Sequence, residues 1–84
     1  MTVSQTIKQA IASSGFTPAE IEAKAGIDRT TLCRLSLGRR LPSLDQIERL
    51  AGPLGLDVAV LLEQTQDEAL QKAEKVIKSK YSKG

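Results

Sequence analysis

Eighty-four residues, 40% of them apolar but with only Phe16 and Tyr81 aromatic, allow one small domain with an aliphatic core of Leu, Ile, Val and Ala. The absence of His removes the commonest general base and the commonest transition-metal ligand together, and the lone Cys33 excludes an internal disulfide. Twelve Lys and Arg against ten Asp and Glu leave a net charge of +2, too little to argue for a nucleic-acid partner by itself.

The opening helix is marked by Thr2 with Gln5 three residues on, the spacing of a capping box. Val3, Ile7, Ala10, Ile11 and Ser14 recur on one helical face as far as "SSG", where Gly15 suits the left-handed position past a helix end. In "FTPAEIEAKAG", Thr17 is an N-cap, Pro18 takes the first helical position and Glu20 completes a second capping box. Phe16 and Ile21 can close a hydrophobic staple across that cap. The helix is short and ends at Ala25, before Gly26. Asp28 then caps a third helix, "RTTLCRLSL", so two short helices flank a turn containing glycine, the spacing of a helix-turn-helix unit over 17–37.

Ser43 with Gln46 opens a fourth helix, with Leu44, Ile47, Leu50 and Ala51 as its apolar stripe. "GPLGLD" at 52–57 interrupts the pattern, and Pro53 is expected to fray or kink the helix end. Asp57 caps a short fifth helix through "VAVLLE", and Thr65 with Glu68 predicts one more cap and a separate C-terminal helix over 66–80. The expected class is therefore all-α: a compact five-helix domain over 1–64, then an amphipathic helix and Lys-rich tail over 65–84. Leu70, Ala73, Val76, Ile77 and Tyr81 fall on one stripe of that last helix. Three uses are open to it: packing back onto its own domain, self-association, or docking a partner protein.

The arginines are unevenly placed. Arg29, Arg34, Arg39 and Arg40 crowd into twelve positions, and no acidic residue occurs from 29 through 44. On the third helix, at about 100° per residue, Leu32 and Leu35 must face the core. Thr30, Cys33, Arg34 and Leu37 then share the opposite face, with Arg29 at its N-terminal edge. An α-helix fits the major groove of B-DNA, where Arg pairs bidentately with guanine and Thr bonds a base or touches a thymine methyl. Arg39 and Arg40 lie beyond the helix, where a phosphate backbone would flank the groove.

Over 3–62, about seventy per cent of the chain, the sequence resembles the DNA-binding domain of the Cro and lambda-repressor helix-turn-helix family, the xenobiotic response element (XRE) type. The marks of the resemblance are the Thr cap and two-turn helix of "TPAEIEAKA", the "GID" turn, "TLCRL", the Gly-Arg-Arg loop, "PSL" and "LGLD". The resemblance implies a lambda-repressor-like fold in which Arg29, Thr30, Cys33 and Arg34 read bases and Thr17, Thr31, Arg39 and Arg40 touch phosphates. Four positions depart from the family pattern. Pro18 replaces a frequent Gln and cannot donate. Glu22 stands where a small Ala often lets the second and third helices approach, Leu37 replaces a frequent Asn, and Pro53 lies in the fourth helix.

Together these features predict a small cytoplasmic regulator, a transcriptional repressor that binds double-stranded DNA at an inverted repeat as a homodimer, through Leu70, Ala73, Val76, Ile77 and Tyr81. No P-loop, G-x-G-x-x-G or G-x-S-x-G occurs, and Glu20 and Glu22 point about 200° apart on a helix, so no catalytic residue, cofactor or metal is expected. The longest apolar run, "VAVLL", is too short for a bilayer. The alternative is an antitoxin-like or anti-regulator module that holds a protein partner through its C-terminal helix.

Overall fold

The computed structural model describes the backbone of residues 1–81 and the side chains of residues 1–77. Those residues form five helices and no strand: α1 (Val3–Ser14), α2 (Pro18–Ala25), α3 (Arg29–Ser36), α4 (Leu44–Leu54) and α5 (Val58–Tyr81). Each of the first four starts where a short polar side chain meets an amide that the helix leaves unpaired. Thr2, Thr17 and Ser43 each close a reciprocal capping box, with Gln5, Glu20 and Gln46 respectively. Asp28 accepts from the Thr31 amide, and Asp57 accepts from the Ala59 amide at the start of α5.

The apolar faces of all five helices converge. Val3, Ile7, Ile21, Leu35, Ile47, Leu50 and Leu61 are fully buried, and Ala25, Ile27 and Leu32 complete the centre. Each of these Val, Leu and Ile side chains contributes about 1.5–3 kcal/mol by leaving water. Phe16 is half-buried against this core, with the Lys24 ammonium 4.9 Å from its ring centroid. The core therefore fixes α3 from below, by Leu32 and Leu35, and leaves its other face outward.

Pro53 does not cut α4 short, because it sits in the last turn. The Leu56 amide donates back to the Ala51 carbonyl at 2.9 Å, and Gly55 turns the chain in the left-handed region at φ +64°. Leu44 departs from expectation: it is 53% exposed. It lies on the expected face but one turn ahead of Ile47, past the end of the buried stripe.

The larger correction concerns the C-terminus. α5 is one continuous helix, and the fifth helix and the separate helix expected over 66–80 are its two halves. Thr65 caps nothing; its hydroxyl donates to the Leu61 carbonyl one turn back, at 2.7 Å. Neither Gly nor Pro occurs from 56 through 83, so nothing in the backbone forces a break. Glu68, read as the partner of that cap, instead accepts from the Val3 amide at 3.3 Å, a carboxylate placed at the positive end of α1. The proposed boundary between 64 and 65 therefore falls inside an unbroken helix.

Capping also makes a pH-dependent contribution. The Thr31 hydroxyl and then the Thr31 amide hold the Asp28 carboxyl below its ordinary range. The Thr17 amide and then its hydroxyl do the same for Glu20. A lowered folded pKa means that the stabilisation is present above the unfolded value and is lost as pH falls through the folded one. Asp28→Asn keeps a capping oxygen and removes the titration. The variant is expected to lose less stability than the parent on acidification below about pH 4, read as urea midpoints across the acid range.

Candidate nucleic-acid interface

The outward face of α3 is built from its cap. Asp28 accepts the Thr31 amide at 3.1 Å with one oxygen and the Thr31 hydroxyl at 2.6 Å with the other, which sets the helix start. Leu32 and Leu35 then point inward, and Thr30, Cys33, Arg34 and Leu37 are exposed within an arc of about 100°. Arg29 borders this arc on the Cys33 side. All four residues expected to read bases thus lie on one exposed surface.

The same helix positions the loop basic residues. Gly38, at φ +75°, reverses the chain, and the Arg39 amide donates to the Arg34 carbonyl at 3.0 Å. A Cβ on Gly38 would stand 3.2 Å from the Ser4 hydroxyl oxygen, so α1 also abuts this turn. Arg39 and Arg40 follow, both exposed. Arg34, Arg39 and Arg40 pair with no carboxylate among the described residues, which leaves their guanidinium groups available to an external anion.

The two threonines expected at phosphates differ. Thr17 is exposed; its hydroxyl oxygen accepts the Glu20 amide and its hydroxyl group also faces the Glu20 carboxylate. Thr31 is half-buried and its hydroxyl hydrogen is already directed to Asp28, so the side chain can accept but has no donor left for a phosphate oxygen. Of the residues expected at a dimer contact, Leu70, Val76 and Ile77 are 61%, 63% and 55% exposed, and Ala73 is exposed too. The side chain of Tyr81 lies outside the described residues.

Two contacts of this region have no local signature. Arg49 on α4 donates to the Gly26 carbonyl at 3.3 Å and to Asp45 at 2.8 Å, which ties α4 to the turn of the helix-turn-helix. Gly26 is required there: its φ is +67°, and a Cβ would come within 2.8 Å of the Arg49 guanidinium. The spacing of Asp45 and Arg49 is legible as an i, i+4 pair, but the carbonyl twenty-three residues away is not. The second contact joins Arg29 to Glu22, with Nε 3.7 Å from Oε2. Beside it, Ile11, Pro18, Ile21, Leu32 and Cys33 line a shallow apolar groove of about 240 Å³, with Arg29 in its wall.

No described helix is long and apolar enough to cross a membrane. Comparison with curated proteins and with solved structures found no significant match. A family model described as a helix-turn-helix, HTH_3, matches residues 7–61, from the middle of α1 into the start of α5. That span is well over half of the chain and contains both helices of the unit, its turn and the exposed face of α3. The chain belongs to the HTH_3, or XRE-type, helix-turn-helix family of DNA-binding regulators.

Proposed function

We propose that the protein is a sequence-specific transcriptional repressor that reads an inverted repeat in double-stranded DNA as a homodimer. The observation that carries this reading is the exposed face of α3, with Thr30, Cys33 and Arg34 at its centre, Arg29 at its edge, and Arg39 and Arg40, unpaired among the described residues, beyond it. Arg29 and Arg34 meet base edges in the major groove, while Arg39, Arg40 and Thr17 hold phosphates. A dimer seated on an operator blocks access to it by its size alone, which makes repression the simplest outcome of binding.

Selection from random duplexes tests the reading. The protein is expected to enrich a two-fold symmetric motif, and enrichment of no motif would remove the proposal. Substitutions then separate the roles. Arg34→Ala and Arg29→Ala are each expected to lose about 1–3 kcal/mol on the selected duplex and to relax preference at one base pair of each half-site. Arg39→Ala is expected to weaken all duplexes alike, with the motif unchanged. A second reading, a protein-binding module, draws on the exposed Leu70, Val76 and Ile77. It predicts the reverse pattern: silent substitutions on α3 and damaging ones on the C-terminal half of α5.

A further inference from the structure

We propose that Glu22 is a positioning residue for specificity: it orients Arg29 towards guanine and disfavours the use of that arginine on phosphate. The proposal rests on the DNA-reading role of α3. Its basis is the pair between α2 and α3, in which the Glu22 carboxylate approaches Arg29 at Nε, 3.7 Å away. A guanidinium presents five N–H donors in a planar fork, and guanine presents O6 and N7 to a bidentate partner. A carboxylate at the Nε side leaves the two terminal nitrogens as the paired donors. The neighbouring groove walls are apolar, and Glu22 is the one carboxylate paired with Arg29 among the described residues.

The placement of Glu22 is otherwise unfavourable. It lies in the last turn of α2, at the negative end of the helix dipole, where an acid is disfavoured. It also stands next to a surface proposed to meet a polyanion. An exposed ion pair adds little to folding, so stability does not explain the residue. Within a DNA complex the balance changes. Water is excluded from the pair and its electrostatic coupling strengthens. The guanidinium is then held in one orientation, and the carboxylate repels any phosphate that Arg29 would otherwise bind. Pro18, at the first position of α2, has no side-chain acceptor to orient Arg29, which leaves the task to Glu22.

Two substitutions on the full-length protein test this, after selection has defined the motif of the parent. Glu22→Gln keeps the shape and removes the charge. It is expected to reduce the preference for guanine at the Arg29 base pair by about threefold to tenfold, and to raise binding to unrelated duplex about twofold or more at low salt. Glu22→Asp keeps the charge but is one methylene shorter, so it should relax the same base pair without raising non-specific binding. Combined with Arg29→Ala, Glu22→Gln should relax the motif no further than Arg29→Ala alone. Thermal melts of both variants near that of the parent would establish that folding is not the cause. A parent that selects a motif which Glu22→Gln leaves intact overturns the role of Glu22 and spares the DNA reading. Added relaxation in the Arg29→Ala background overturns it too, because the effect would then not pass through Arg29. A parent that selects nothing overturns both.

Discussion

Raising salt from about 50 to about 200 mM is expected to cost the protein on the order of a thousandfold in affinity for its best duplex. The expectation comes from the groups that can displace counterions. Arg39 and Arg40 carry charges that no described carboxylate neutralises, and helix N-termini add partial positive charge. Thr31 adds nothing as a donor, since its hydrogen is directed to Asp28. About three to four phosphate contacts per subunit give about six to eight per dimer, and each contributes close to one unit of salt slope. The source is local: a net charge of +2 over the whole chain could not supply such a dependence by long-range attraction. Fluorescence anisotropy titrations across that range measure the slope directly. A slope near zero on the selected duplex would leave Arg39 and Arg40 without their proposed role and sink the DNA reading with it.

How much of this was visible in the sequence depends on the range of the interaction concerned. Capping boxes at Thr2, Thr17 and Ser43 lie within three residues of their partners, so the starts of α1, α2 and α4 are legible, and with them the helix-turn-helix. The outward face of α3 is legible as well, because Leu32 and Leu35 fix its rotation. Thr65 with Glu68 has the same spacing as a cap, but a cap also needs a non-helical residue at that position. Nothing between 56 and 83 imposes one, so the helix continues and the same two side chains turn to Leu61 and Val3 instead. The contacts of Arg49 with Gly26 and of Glu22 with Arg29 join different helices, and no periodicity within one segment encodes them.

Ile77→Asp is expected to weaken self-association about a hundredfold or more and leave the isolated domain folded. The continuity of α5 supplies the argument. Leu70 follows Leu61 by nine residues, about 900° of rotation or a net half-turn, so it points away from the side of the helix that Leu61 buries. Ile77 lies within about 20° of Leu70. A straight helix cannot turn this stripe onto its own domain, and Leu70 and Ile77 are accordingly exposed. We infer that a second copy covers it. Burial of about 400 Å² of apolar surface contributes about 10 kcal/mol before association costs, which makes the dimer weak and concentration-dependent. Each Ile contributes about 1.5–3 kcal/mol and the dimer contains two, so their replacement removes most of the margin. Sedimentation equilibrium over a concentration series should find the parent between monomer and dimer and the variant monomeric. Equal dimerisation by Ile77→Asp would assign the stripe to a different protein partner.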